Sequence, residues 1–223
     1  MRSKLISDLQ TDVSREWRDV RILPFGSYPA GLYLPTADMD LVFVSQGYLD
    51  GNYGKYDRKK DLWQFNDFLR HKKIAAEGSI ECITKAKVPL VKYIDRLTGL
   101  KVDVSFENNT GIVAIETFLE WKRQFPAMPI LVTLIKQFLC MRGLNEPVNG
   151  GIGGFTVTCL VVSLLQHLPQ VQSGNMKPEE HLGEVLMEFF NCYGNLFDVA
   201  TTAISTNPPR WISKVRYPAH DEL

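Results

Sequence analysis

The spacing of apolar residues changes period between Phe106 and Ile112, and that switch limits the chain to a β-rich first part and a helical second part. Before it, runs rich in β-branched and aromatic residues read as strands at Val20 to Pro24, Leu41 to Val44, Ser79 to Thr84, Val88 to Ile94 and Leu100 to Phe106. Asp95-Arg96-Leu97-Thr98-Gly99 reads as a hairpin-like loop joining the last two. Two amphipathic helices punctuate these strands: Leu5 to Trp17, and Asp61 to Arg70 with Asp61 as its N-cap. After the switch, Ile112 to Gln124, Pro129 to Arg142, Phe155 to His167 and Glu179 to Cys192 carry helical spacing. Asn195 to Leu223, with Pro208, Pro209 and Pro218, lacks periodicity and reads as a strap. The expected architecture is α+β, a lobe over residues 1–106 followed by a helical lobe over 107–223.

At 223 residues and 45% hydrophobic content the chain can bury a substantial core, and it reads as a soluble globular protein. Cys82, Cys140, Cys159 and Cys192 are widely separated, which argues against a disulfide framework or a structural zinc and for a reducing compartment. Met1 to Arg21 is charged and amphipathic, without the apolar segment of a signal peptide or a membrane span. The final His220-Asp221-Glu222-Leu223 matches an endoplasmic-reticulum retrieval signal, and without a signal peptide the match reads as coincidence. Lys plus Arg equals Asp plus Glu at 25 each, so a nucleic-acid substrate would be gripped partly through a partner.

Chemistry concentrates in Phe25-Gly26-Ser27 and in Asp38-Met39-Asp40 at the head of the apolar run Leu41 to Val44. If Ala37 to Val44 is extended, Asp38 and Asp40 leave one face with Cα atoms about 6.5 to 7 Å apart, a spacing suited to one or two divalent ions. No lysine or arginine lies between Arg21 and Lys55, so the pair has no sequence-local counter-charge, and an uncompensated pair at a sheet edge asks for a cation. Asp103, in Lys101-Val102-Asp103-Val104-Ser105, is the candidate third carboxylate, since Asp is depleted from strands and alternation sets Asp103 and Ser105 opposite Val102, Val104 and Phe106. Gly26 permits a turn close to a triphosphate, and Ser27 and the turn amides can bond its oxygens. Each piece has an ordinary alternative: Asp38 and Asp40 as a solvated strand start, Gly26-Ser27 as a plain turn after Pro24. The joint pattern points to nucleotidyl transfer.

These blocks, GLYLPTADMDLV, VDVSF, Leu134-Ile135-Lys136-Gln137-Phe138-Leu139 and Asn149-Gly150-Gly151-Ile152-Gly153-Gly154-Phe155, together resemble the DNA polymerase beta-like nucleotidyltransferases. Within that superfamily the wording is similar to the nuclear poly(A) RNA polymerases of the TRAMP complex, the topoisomerase-related function or DNA polymerase sigma group. The resemblance implies a palm, a mixed sheet with helices, followed by a helical central (PAP-associated) domain, with the nucleotide between them. It implies that Asp38, Asp40 and Asp103 bind magnesium or manganese, that Asp103 helps deprotonate the RNA 3′-hydroxyl, and that Gly26 and Ser27 hold the triphosphate of ATP. Lys136 would approach the phosphates, its alternative being an exposed helix lysine; Phe155 would stack on the base, its alternative being a core aromatic.

The resemblance further implies addition of AMP to RNA 3′ ends by two-metal catalysis, in nuclear RNA surveillance coupled to the exosome. A zinc-knuckle RNA-binding protein and an RNA helicase would be the partners, in the nucleus and at no membrane. Relatives continue past a segment like Asn207-Pro208-Pro209-Arg210-Trp211-Ile212 into a nucleotide-recognition loop, so this chain is expected to be C-terminally truncated, weakly active or inactive, and poorly selective for the base. The competing readings are a terminal uridylyltransferase and a non-catalytic scaffold that retains the fold.

Overall fold

The computed structural model describes residues 1–56 and 58–214, and the chain divides into two compact units, Met1–Thr117 and Phe118–Leu223. In the first unit, helix α1 (Arg2–Glu16) precedes β1 (Val20–Pro24), the short α2 (Ser27–Ala30), β2 (Met39–Ser45) and the short α3 (Gln46–Leu49). Then come α4 (Lys59–His71), β3 (Glu81–Ile83), β4 (Leu90–Ile94), β5 (Lys101–Phe106) and the start of α5 (Thr110–Gln124).

The strands form one mixed sheet in the order β1-β2-β5-β4-β3, with β2 and β5 parallel and the other pairs antiparallel. One face carries Ile22, Met39, Leu41, Phe43, Val91, Tyr93, Val102 and Val104, packed with Leu5, Leu9 and Val13 of α1 and with Leu62, Phe65 and Leu69 of α4. The i, i+4 spacing of Leu5, Leu9 and Val13 is what gives α1 a single apolar stripe for this purpose. Trp17, just past α1, closes the core edge-on against Phe43 and Phe68 with ring centroids 5.3 and 5.1 Å away. Val42 and Val44 are buried on the second face of β2 as well, hence its near-continuous apolar run.

Three expectations change. Asp38-Met39-Asp40 does not open an edge strand, since β2 lies between β1 and β5. Asp61 is not the N-cap of α4: it sits at the third helical position and accepts the Arg58 backbone N–H at 3.0 Å, which ties down the start of the helix from inside. The third lies in the second unit, where α6 (Met128–Cys140), α7 (Gly154–His167), the short α8 (Pro169–Gln172) and α9 (Leu182–Asn191) follow α5. The expected strap contains an antiparallel hairpin instead, β6 (Thr202–Thr206) with β7 (Pro209–Ser213). Pro208 falls in the turn and Pro209 at the first strand position, where a missing N–H is tolerated, so the prolines do not break the ladder. The hairpin docks on α7: Trp211 Nε1 donates to Ser163 Oγ at 3.2 Å, and Gln166 Nε2 donates to the Thr206 carbonyl at 3.1 Å.

Among the described residues no helix is long and apolar enough to cross a membrane. Pro218 and the terminal His220-Asp221-Glu222-Leu223 lie outside the described residues.

Candidate active site

On the second face of the palm sheet, backbone register lines up four side chains in one row. Asp40 of β2 is paired with Asp103 of β5, Asp103 with Lys92 of β4, and Lys92 with Glu81 of β3. Register partners share a face, so the two aspartates stand side by side on strands about 4.8 Å apart. Sequence alternation placed Asp103 opposite Val102 and Val104, and the structure agrees: both valines are in the core and Asp103 is not.

Asp38 enters just before β2, and its charge reaches both Asp103 and Lys92. Burial pushes the Asp103 carboxyl above its ordinary value, the Asp38 charge adds to this, and the Lys92 hydrogen bond opposes without overturning it. For Lys92, burial works against the ammonium, but the bond to Asp103 and the fields of Asp103, Asp38 and Glu81 outweigh it and hold it above its ordinary value. An ion pair normally lowers its acid; at Asp103, with 18% of the side chain exposed, desolvation is the larger effect.

The Gly-Ser turn lies against this row. Phe25 donates its backbone N–H to the Asp40 carbonyl at 3.0 Å, extending the β1–β2 ladder by one bond, and the Phe25 ring packs on the bare backbone of Gly111. Gly26 has φ +70°, and a Cβ there would stand 2.7 Å from Asp40 Oδ2, so glycine is required both by conformation and by the carboxylate beside it. Ser27 begins α2 directly after this turn.

Two cations from elsewhere in the chain bear on the site. Arg2, buried on α1, donates to the carbonyls of Pro35 at 3.0 Å, Ala37 at 2.6 Å and Asp38 at 3.4 Å, and its guanidinium lies 4.9 Å from the Tyr33 ring centroid. It thereby pins the loop that delivers Asp38. Lys92 Nζ donates to Asp103 Oδ2 at 2.6 Å. Neither stood out in sequence, Arg2 being one charge among many on an amphipathic helix and Lys92 one residue of a strand; only a register argument for β4 against β5 could have found Lys92.

Among the described residues no group of three or more His, Cys, Asp or Glu side chains converges on one point. The donor set nevertheless suits a hard divalent cation: two carboxylates adjacent on one face, a third whose field reaches Asp103, and an ammonium already standing on Asp103 where positive charge is favoured. Asp38, Asp40 and Asp103 could hold such an ion.

The remaining candidates belong to the second unit. Lys136 of α6 runs across the first turn of α7, where a Cβ on Gly154 would stand 2.8 Å from Lys136 Cε and 3.0 Å from Nζ. It is half-buried, which sets aside the reading of a simply exposed helix lysine. Phe155 is 60% exposed, with its ring 5.7 Å from Phe118, so it is not a core aromatic.

Comparison with known proteins agrees with this reading of the fold. The family model described as "Poly(A) RNA polymerase, mitochondrial-like, central palm domain" matches residues 1–120, and that described as "Cid1 family poly A polymerase" matches residues 181–222. The chain is 35% identical over 207 residues to Poly(A) RNA polymerase protein 2 of Saccharomyces cerevisiae, covering 93% of this chain and 34% of that protein. It is 38% identical over 197 residues to Poly(A) RNA polymerase cid14 of Schizosaccharomyces pombe, covering 88% of this chain and 28% of that one. The solved polymerase core of TRAMP, an RNA surveillance complex, superposes with a TM-score of 0.84 at 35% identity, over 96% of this chain and 64% of that chain. The chain thus spans about a third of the length of these two curated relatives.

Proposed function

Because the chain belongs to the poly(A) RNA polymerase family through its mitochondrial-like central palm domain, we propose that it is a template-independent RNA 3′-end nucleotidyltransferase that adds AMP from ATP. The observation that carries this reading is the register pairing of Asp40 with Asp103 across the parallel β2–β5 ladder, with the Gly26 turn against Asp40. Two carboxylates fixed side by side by backbone pairing make a preorganised site for a divalent cation.

In the proposed reaction the RNA 3′-oxygen forms a bond to the α-phosphorus of ATP while the bond from that phosphorus to the bridging oxygen of pyrophosphate breaks. Asp103 accepts the hydroxyl proton, from its fixed place beside Asp40 on the parallel β2–β5 ladder. Asp38, Asp40 and Asp103 hold magnesium or manganese, which when bound supplies charge stabilisation to the attacking and leaving oxygens. The Gly26 turn and the Ser27 hydroxyl bind the triphosphate, and Arg2 keeps the Asp38 loop in place. Within the second unit, Lys136 is a point charge of the kind that suits phosphate and Phe155 an exposed ring of the kind that suits a base.

Similarity to the polymerase core of TRAMP supports a place in nuclear RNA surveillance feeding exosome-coupled decay, with a zinc-knuckle RNA-binding protein and an RNA helicase as partners in the nucleus. The zero formal charge of the chain suits a division of labour in which RNA grip comes largely from such partners. Extension of a labelled RNA with each nucleotide in turn, with and without magnesium, tests the reading. Magnesium-dependent ATP incorporation lost in Asp103→Ala supports it; preference for UTP would make the protein a terminal uridylyltransferase, and no incorporation of any nucleotide a scaffold.

A further inference from the structure

Lys92 is used by no step of the proposed reaction, yet it is the cation in the Asp40–Asp103–Lys92–Glu81 row. Its placement is set by the backbone: antiparallel register puts Lys92 directly opposite Asp103, so its stem rises from the same face on the next strand. Its ammonium takes Asp103 Oδ2 at 2.6 Å, a short charge-assisted bond, although Glu81 is its register partner on the other side. The bond takes up Oδ2, one of the two oxygens of the Asp103 carboxylate.

A carboxylate on a β-carbon turns freely about its last torsion, whose energy profile is broad and two-fold. Held by one oxygen, it offers the other in a fixed direction; released, it can present both oxygens to the same ion. We propose that Lys92 is the positioning residue for Asp103: its ammonium reserves Oδ2 and so presents Oδ1 as the single oxygen offered to the divalent ion and to the proton of the RNA 3′-hydroxyl. This rests on the function proposed above. The same ammonium offsets one of the negative charges gathered by Asp38, Asp40 and Asp103, so it also moderates the pull of the site on a divalent cation.

The two effects separate in a neutral variant. Lys92→Met frees Oδ2 and removes a repelling charge, so the site should bind the ion more tightly while the carboxylate loses its orientation. The test is Mn2+ binding by electron paramagnetic resonance on the full 223-residue chain, alongside single-turnover RNA extension, for the wild type, Lys92→Met and Lys92→Arg. Lys92→Met should bind Mn2+ about tenfold tighter and extend about a hundredfold slower. Lys92→Arg, which keeps the charge and a donor, should return Mn2+ affinity to within about threefold of wild type. Should Lys92→Met not fold by circular dichroism, Lys92→Gln replaces it with the same expected shifts. Mn2+ affinity equal to or weaker than wild type in the neutral variant, or extension undiminished, overturns the inference. If the wild type incorporates no nucleotide, the functional reading fails, and the Mn2+ comparison still decides the role of Lys92.

Discussion

Gly26 leaves room for Asp40: a Cβ on Gly26 would stand 2.7 Å from Asp40 Oδ2, in a backbone conformation with φ +70°. A side chain there must therefore either displace the carboxylate or distort the turn. Gly26→Ala is expected to lower RNA extension at least about tenfold while costing only about 1–2 kcal/mol of stability from the left-handed conformation. Extension rates paired with thermal unfolding check this; a variant as active as wild type would show that the turn and Asp40 move independently.

Gly154 presents the opposite balance. It opens α7, where alanine is the better helix former, but its Cβ would press on Lys136 Cε. Gly154→Ala should leave stability unchanged or raise it by up to about 1 kcal/mol. It should also raise the KM for the nucleotide, because Lys136 is pushed from its course. Urea unfolding and nucleotide titration separate the two effects, and an unchanged KM would remove Lys136 from the nucleotide contacts.

Phe155 is the third case, since its ring is mostly exposed and its loss creates no large cavity. Phe155→Ala is expected to change stability by less than about 1 kcal/mol. Loss of base stacking should weaken ATP binding by about 1–3 kcal/mol, and Phe155→Tyr should retain it. Calorimetric ATP titration of both variants checks this, with equal affinity in wild type and alanine variant counting against a stacking role.

Asp19 provides a pH-dependent measure of the fold away from the site. A hydrogen bond from Lys55 Nζ at 2.7 Å holds its carboxyl below the ordinary value of 3.8; burial opposes this and the Tyr56 hydroxyl at 2.9 Å assists. The folded chain therefore takes up this proton less readily than the unfolded one. The stabilisation is present above 3.8 and is lost as pH falls through the depressed folded value. With 40% of the Asp19 side chain exposed, the contribution is under about 1 kcal/mol. Asp19→Asn should thus melt slightly below wild type at neutral pH, and the gap should close below pH 3.8; a gap independent of pH would assign it to packing.

Much of the architecture was legible because local pattern and tertiary demand agree. The Leu5-Leu9-Val13 stripe, the Leu41 to Val44 run and the alternation around Asp103 each follow from a periodicity that burial enforces. The β6–β7 hairpin was missed because Pro208 and Pro209 argue against strands when their place relative to the turn is unknown. The interior position of β2 was missed for a related reason: sequence order does not reveal that β5 inserts between β2 and β4.

By itself the sequence determined which residue types stand at the candidate site: Gly26-Ser27, Asp38, Asp40 and Asp103, whose charge and conformational freedom suit phosphate and a divalent cation. Only the tertiary structure decided what accompanies them. Asp40, Asp103 and Lys92 fall in one row because β5 pairs on one side with β2, remote in sequence, and on the other with its neighbour β4, and Arg2 reaches the Asp38 loop because α1 packs against the same sheet. Strand pairing fixes side-chain neighbours across any length of intervening chain, so a cation absent between Arg21 and Lys55 reaches the row through Lys92 on β4.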